Sequence, residues 1–217
     1  MKDALLDLFY PPRCAFCGRI GVRGTCGACE KALPCAEKPL REGAGFGKCA
    51  APLRYEGIAR EGIRRFKFHD ATGAAESYGA LLAQCVAEEL GGTFDVVTWA
   101  PVSKKRLRER GYDQAQLLAA ATAKVWGVKP VRLLHKTRDN PPQSGLGAPE
   151  RRGNVIGVYE AANVEHIKNA RILLVDDIIT TGSTLSECAR VLRDAGAQSV
   201  VCACLATATV ESHKEET

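Results

Sequence analysis

The segment RILLVDDIITTGSTL, residues 171–185, ends a hydrophobic run with two adjacent carboxylates and continues with hydroxyl-bearing residues around one glycine. Asp176 and Asp177 come at the carboxyl end of the predicted strand, the edge at which an open parallel sheet binds its ligands. The next turn begins a predicted helix, whose amino end offers free N–H groups and a positive dipole to an anion. A phosphate monoester suits this turn and vicinal hydroxyls suit the carboxylates, so the segment predicts a site for a ribose 5-phosphate. The predicted ligand residues are Asp176, Asp177, Thr180, Thr181, Gly182, Ser183 and Thr184.

The simpler interpretation of this segment is a strand end capped by aspartate before a turn rich in threonine and serine. For an isolated Asp-Asp pair that interpretation is preferable, but the full run of apolar strand, acids and hydroxyls is far more specific. The segment is not a Walker loop, because it contains no Gly-Lys pair.

Four cysteines near the start of the chain form two closely spaced pairs, Cys14-x2-Cys17 and Cys26-x2-Cys29, joined by a glycine-rich connection. This spacing allows two tight turns to present four thiolates tetrahedrally, as in structural zinc sites. Disulfides are the alternative, and the reducing compartment expected below disfavours them. Four thiolates leave no open position on the metal, so we expect it to stabilise a module too small to fold alone.

A basic stretch, SKKRLRERG at residues 103–111, follows a predicted buried strand and carries five cations against one acid. The ordinary interpretation is a solvated start of a helix. Cations at the same sheet edge as the acid–hydroxyl segment also suit charge-assisted contacts to a pyrophosphate group. The cations are Lys104, Lys105, Arg106, Arg108 and Arg110.

Strands alternate with helices after residue 55, which predicts an α/β fold with a parallel sheet covered on both faces. Predicted helices are AAESYGALLAQCVAEELGG, DQAQLLAAATAKVWG with Asp113 as its cap, and the segment after the threonine-rich turn. Predicted strands are GIRRFKFH, FDVVTWAPV, VKPVRLLHK, NVIGVYEA, the opening segment and SVVCACLATA. Lys67 and His69 are expected at a sheet edge rather than in catalysis. Residues 137–154 form a long loop of the kind that is usually functional or disordered.

The composition is that of an ordinary globular protein, with 46% hydrophobic and 25% charged residues and a net charge of +5. We expect a cysteine-rich zinc-binding module at residues 1–50, an α/β domain at 51–209 and a solvated tail at 210–217. The first residues lack the features of a secretion signal. No segment has the run of apolar residues that crosses a bilayer. We therefore expect a cytoplasmic protein without membrane insertion.

The acid–hydroxyl segment resembles the phosphoribosyl-pyrophosphate (PRPP) signature of type I phosphoribosyltransferases. The stretches APVSKKRLRERGYDQAQLLA and HKTRDNPPQSGLGAPERRGNVIGVYEA, together with the cysteine-rich start, resemble blocks of the ComF family of competence-associated proteins, in that family's order. The resemblance covers nearly the whole chain. It implies a small N-terminal zinc-binding module followed by a phosphoribosyltransferase-like domain with a parallel sheet.

The resemblance also implies roles for particular residues. PRPP would bind with Mg²⁺, its 5-phosphate on Thr180–Thr184 and its ribose hydroxyls facing the two acids. The implied pyrophosphate loop contains Lys104, Lys105, Arg106 and Arg110, and the implied flexible loop contains Arg138, Gln143, Arg151 and Arg152. Asp113 departs from the asparagine that the family block has there.

Two functions from different classes are consistent with this pattern. The first is a phosphoribosyltransferase that displaces pyrophosphate from PRPP with an unidentified acceptor, associated with natural competence and DNA uptake. The second is a non-catalytic protein that binds PRPP, or a related sugar phosphate, and single-stranded DNA during transformation, alongside DNA-uptake proteins. A purely structural zinc protein is a weaker third, because it leaves the acid–hydroxyl segment unexplained.

Overall fold

The computed structural model describes residues 11–68, 72–92, 94–138 and 157–208. Its strands are β1 (Leu40–Gly43), β2 (Gly47–Ala50), β3 (Leu53–Arg54), β4 (Val96–Trp99), β5 (Leu134–Lys136), β6 (Tyr159–Ala161), β7 (Arg171–Ile179) and β8 (Ser199–Thr207). Its α-helices are α1 (Gly27–Ala32), α2 (Gly57–Phe68), α3 (Ala75–Leu90), α4 (Lys104–Arg110), α5 (Gln114–Lys124) and α6 (Ser183–Asp194), with 3-10 turns at Thr72–Ala74 and Val164–His166. The alternation of strands and helices that the sequence predicted is therefore present.

The main sheet has the strand order β1-β2-β8-β7-β4, and β3 also pairs with β8. All of its pairings are parallel except that of β1 with β2, which form an antiparallel hairpin at one edge. The expected α/β fold built on a parallel sheet is confirmed, with the addition of this antiparallel edge strand.

The two longest strands, β7 and β8, run through the centre of the sheet and are almost entirely buried. Such strands read as continuous apolar runs because helices cover both faces of a parallel sheet. Alternate residues enter different cores: Leu173 and Val175 pack with the layer of α2, α3 and α5, whereas Ile172 and Leu174 pack with the layer of α6. This double burial fixes the carboxyl end of β7, where the acid pair lies.

Residues 62–69 were predicted to form a strand, and this prediction is wrong, because the chain is helical from Gly57 to Phe68. The apolar alternation at the end of that window is local. Over the whole segment the buried residues are Ala59, Gly62, Ile63 and Phe66, which is the i, i+3, i+4, i+7 spacing of one helix face. Lys67 therefore lies on a helix and not at a sheet edge, whereas His69 is outside the described residues.

The predicted strands in VKPVRLLHK and NVIGVYEA exist, but they do not join the main sheet. β5 and β6 pair with each other, antiparallel, as a separate two-stranded sheet. Tyr159 of β6 is buried and packs in the same core as α6. This small sheet therefore stands beside the carboxyl edge of the main sheet.

The cysteine-rich segment packs directly on α2 and α3. The Tyr78 hydroxyl donates to the Ala15 carbonyl at 2.7 Å, and the Phe16 ring meets the Tyr78 ring edge-on at a centroid distance of 5.2 Å. Gly62 permits this contact, since a Cβ there would lie 3.1 Å from the Phe16 Cα. The domain boundary near residue 50 stays a prediction; the hairpin Leu40–Ala50 extends the main sheet. Within the described residues, no helix is long and apolar enough to cross a membrane.

Candidate functional site

A cavity of about 730 Å³ opens at the carboxyl edge of the main sheet. Its wall combines the end of β7 and the turn after it, the segment after β4 with α4 and the start of α5, the face of α2, and Lys136 and Tyr159 of the small sheet. Ligands bind at this edge in open α/β sheets. The acid pair and the basic stretch are about 70 residues apart in the sequence. The fold brings the acid pair and part of the basic stretch to one cavity.

Asp177 is the more constrained of the two acids. Its Oδ2 accepts a hydrogen bond from Gln114 Nε2 at 3.1 Å and forms an ion pair with Lys67 Nζ, also at 3.1 Å. The Gln114 Oε1 in turn accepts from Arg110 Nη1 at 2.9 Å. A continuous polar network therefore joins α2, α4, α5 and β7 beneath the cavity.

Asp176 lines the cavity beside it, and its Oδ1 accepts from the Asp177 backbone amide at 2.8 Å. Removal from solvent, together with the negative charge of Asp177, raises the pKa of Asp176 to about 8. A cation or hydroxyl groups placed at this carboxyl would lower its pKa again. Asp176 is therefore the acid whose protonation would change when a ligand binds.

The turn after β7 leads into α6 through Gly182, which has a left-handed backbone with φ of 74°. A Cβ at this position would lie 2.4 Å from the Phe46 ring, so both the conformation and the space require glycine. Thr180 and Thr184 line the cavity, whereas the Thr181 and Ser183 hydroxyls lie 2.8 Å apart and bond each other. The turn is thus positioned by an internal hydroxyl contact and by the Phe46 ring of the hairpin.

The predicted basic stretch forms the short helix α4, which Ser103 caps at its amino end and Gly111 at its carboxyl end. Arg106 and Arg110, four residues apart, lie on its cavity face. Lys104 and Lys105 are exposed and lie outside the cavity lining. Burial lowers the pKa of Arg110, which nevertheless stays charged beside Asp177. The structure thus separates the five cations of the basic stretch into two at the cavity and three outside its lining, the third being Arg108.

Three further cations line the cavity from α2: Arg60, Arg64 and Lys67. None of the three was predicted as a site residue, because the sequence pattern did not predict this helix. Their spacing of four and three residues places them on one helix face, opposite the face that packs on the cysteine-rich segment. That spacing was the signal available in the sequence.

Asp113 has a structural role and does not line the cavity. Its Oδ1 accepts from the amides of Ala115 and Gln116, which confirms it as the cap of α5. Its Oδ2 accepts from Trp99 Nε1 at 3.2 Å and from the Val102 amide at 3.1 Å. Asp113 therefore fastens the segment after β4 to α5, which places α4 at the cavity.

The long loop predicted at residues 137–154 lies mostly outside the described residues, as do Gln143, Arg151 and Arg152. Arg138 is described; it is exposed and is not part of the cavity lining. The assignment of these four residues to a flexible loop over the site stays a prediction.

The sulfur atoms of Cys14, Cys17, Cys26 and Cys29 all lie within 4.8 Å of one another. The Cys17 and Cys26 sulfurs are 3.8 Å apart. Zn–S bonds of about 2.3 Å in a tetrahedron place neighbouring sulfurs about 3.8 Å apart, so the group fits a zinc ion. Burial opposes ionisation of Cys14, but hydrogen bonds from surrounding backbone amides lower its pKa to about 6. These four cysteines could hold a metal such as zinc.

Residues 74–216 match the family described as the phosphoribosyl transferase domain, and the chain belongs to that family. The fold is accordingly the type I phosphoribosyltransferase fold, with the four-cysteine group near its N-terminus.

Among known proteins, the chain is similar to Competence protein F of Haemophilus influenzae, with 28% identity over 81% of this chain and 75% of that protein. It is also similar to Competence protein ComFC of Bacillus subtilis, with 27% identity over 84% of this chain and 72% of that protein. For Competence protein ComFC of Streptococcus pneumoniae the identity is 26%, over 91% of this chain and 82% of that protein. The resemblance to the ComF family that the sequence motifs indicated is confirmed.

Proposed function

We propose that the protein binds PRPP with Mg²⁺ in the cavity at the carboxyl edge of the sheet and acts as a phosphoribosyltransferase-like protein in competence-associated DNA uptake. The observation that carries the proposal is the convergence of the acid pair, the hydroxyl-rich turn and five cations from α2 and α4 in one cavity of about 730 Å³. PRPP needs each of these features, because it carries a phosphate monoester, vicinal hydroxyls and a pyrophosphate.

The 5-phosphate is assigned to the turn at Thr180–Thr184. This turn begins α6, which has 12 residues and directs the positive end of its dipole towards the cavity side of the turn. Gly182 supplies the left-handed backbone that turns the chain from β7 into this helix. The ribose then lies next to Asp176 and Asp177, which precede the turn.

The pyrophosphate is assigned to Arg106 and Arg110, with Arg60, Arg64 and Lys67 on the facing helix. Lys67 has a second role, because its ion pair with Asp177 at 3.1 Å holds that carboxylate in place. Mg²⁺ is usually bound through one or two carboxylates together with substrate phosphates, and Asp176 is suited to that role.

In the reaction, a nucleophile forms a bond to the anomeric carbon of PRPP while the bond from that carbon to the pyrophosphate oxygen breaks. The pyrophosphate leaves with the electron pair, and the arginines stabilise the charge that develops on it. Bound Mg²⁺ supplies further charge neutralisation. The protein's contribution is positioning and electrostatic stabilisation.

The second candidate function is binding without catalysis, in which the same cavity holds PRPP and a nearby surface holds single-stranded DNA. The observation that favours it is the exposed basic side of α4, where Lys104, Lys105 and Arg108 lie outside the cavity. The names of the competence proteins to which the chain is similar support a role in handling DNA for either candidate.

The proposal is tested by a thermal-shift titration with PRPP and Mg²⁺. A ligand at 100 times its dissociation constant stabilises the folded state by about 2.7 kcal/mol, so wild type should show a clear rise in Tm. The double variant Asp176→Asn/Asp177→Asn should show none. Glu165→Gln, an exposed acid outside the cavity lining, is the matched control and should respond as wild type does.

The absence of a shift in wild type would exclude PRPP binding and with it both candidate functions. Pyrophosphate release in the presence of a panel of nucleobase acceptors separates them. Release that depends on an acceptor supports the transferase, and PRPP binding without any release supports the binding protein.

A further inference from the structure

The last turn of α2 places an aromatic side chain at the mouth of the cavity. Phe68 is 60% exposed, which makes it the aromatic residue most open to solvent within the part of the chain that the structure describes. It also contributes to the cavity lining. A single exposed apolar side chain is ordinary on a folded domain; what distinguishes this ring is its position at the cavity mouth, among cations.

The position of Phe68 is fixed by its neighbours. Lys67 is paired with Asp177, and the carbonyl of the buried Phe66 accepts a hydrogen bond from the Tyr112 hydroxyl. The Arg110 guanidinium lies over the Phe68 ring, with its carbon 4.8 Å from the ring centroid. A cation over one face of a ring leaves the other face available for a planar partner.

The charge around this ring extends beyond the cavity. Arg64 lies one turn before Phe68 on α2 and lines the cavity, whereas Lys104 and Arg108 are exposed on α4 outside it. A small ligand inside the cavity does not reach these outer cations. A strand of nucleic acid does, because its phosphates continue past the base that enters the cavity mouth.

We propose that Phe68, backed by Arg110, is a stacking platform for a nucleobase of a single-stranded nucleic acid whose phosphates lie on the basic surface of α4. The occupant is a base carried on a strand rather than a free base. An enclosed slot that covers most of the ligand suits a free base, whereas this ring is open to solvent. The inference rests on the proposed function, since it places the base at the mouth of the PRPP cavity.

The experiment measures the dissociation constants of two strands of about a dozen nucleotides, in the range of single-strand site sizes. One is oligothymidylate, and the other is an abasic strand with the same number of phosphates. Both are measured by fluorescence anisotropy at one salt concentration, because phosphate contacts make affinity salt-dependent. The variants are Phe68→Ala, Phe68→Trp and the control Val125→Ala, whose side chain is 59% exposed and lies outside the cavity lining.

Wild type should bind oligothymidylate more tightly than the abasic strand. Phe68→Ala should weaken oligothymidylate binding about tenfold and leave the affinity for the abasic strand within about twofold, because only stacking is lost. Phe68→Trp should retain the preference, and Val125→Ala should behave as wild type. Because Phe68 is largely exposed, its substitution spares the core, and an unchanged Tm verifies this.

Equal affinity of wild type for the two strands, or an equal loss on both strands in Phe68→Ala, would overturn the inference. The PRPP titration of wild type separates this result from failure of the proposed function. A PRPP shift without a base preference removes the stacking platform alone. A base preference without a PRPP shift removes PRPP binding and leaves the platform.

Discussion

The cysteine tetrad takes its four thiols from residues 14–29, whereas the cavity takes its side chains from segments between Tyr55 and Thr184. The first site is specified almost entirely by local spacing, because two tight turns are enough to bring four sulfurs together. The second exists only after β7, α2, α4 and the small sheet have reached the same edge of the fold.

The two regions nevertheless meet on one element. α2 packs on the cysteine-rich segment at Gly62, and it lines the cavity with Arg60, Arg64 and Lys67 on its other side. The cysteine tetrad, which local spacing predicts, thus supports the position of the cavity, which depends on the tertiary structure.

The largest effect is expected from loss of the metal-binding group. Cys26→Ser removes a buried thiolate ligand, and we expect a fall in the free energy of unfolding of about 4 kcal/mol or more, as is typical for loss of a structural metal. Zinc content by elemental analysis and urea denaturation measure this. Cys35→Ser, an exposed cysteine outside the tetrad, is the control and should retain both metal and stability. Full stability of Cys26→Ser would contradict a structural metal.

An intermediate effect is expected at the turn of the cavity. Gly182→Ala forces a side chain into a left-handed backbone and into the Phe46 ring, and we expect a loss of about 2–3 kcal/mol. Gly127→Ala has a similar φ of 68° but no atom within 4 Å of its Cβ, so it should cost only about 1 kcal/mol. Urea denaturation of both variants measures the difference. Equal losses would show that the contact with Phe46 is unimportant.

The smallest effect concerns the protonation of Asp176. Its pKa is raised from 3.8 to about 8 in the folded protein, so the folded state holds a proton that the unfolded state releases between these values. This contribution to stability is complete below pH 3.8 and is lost as the pH rises through about 8.

Asp176→Asn cannot bind this proton and lacks its contribution to stability. Between pH 6 and 8 the free energy of unfolding of the variant should therefore fall less than that of wild type, by about 1 kcal/mol per pH unit. Urea denaturation at both pH values provides the measurement. Glu88→Gln, an exposed acid whose hydrogen-bond partner is the amide of Gln84, serves as the control and should follow wild type. Parallel pH dependences of Asp176→Asn and wild type would contradict the raised pKa.

The sequence predicted the parts of the fold that have clear local signals. The short apolar runs of β4, β7 and β8 favour buried strands, and Asp113 and Gly91 mark helix ends by capping chemistry. The cysteine spacing likewise predicted that the four sulfurs converge. In these cases one type of structure satisfies the local pattern.

The remaining features of the fold and of the cavity depended on tertiary context. The window GIRRFKFH fits a strand when it is taken alone, and the helical spacing becomes visible only when Ala59 and Arg60 are included. The pairing of β5 with β6 has no local signal, because a short apolar run does not specify its partner strand. The cavity cations of α2 were missed because this helix was not recognised in the sequence. The network from Arg110 through Gln114 to Asp177 forms only when α4, α5 and β7 meet in the folded chain.

The hairpin of β1 and β2 closes one side of the main sheet. β1 has only four residues, and its Arg41 donates through Nη1 to the Thr180 carbonyl at 3.1 Å and to the Thr207 hydroxyl at 2.9 Å. A short edge strand with charged side chains is a poor template for another chain. The hairpin that supports the turn at Thr180–Thr184 therefore also protects this edge of the sheet from strand-to-strand aggregation with neighbouring molecules.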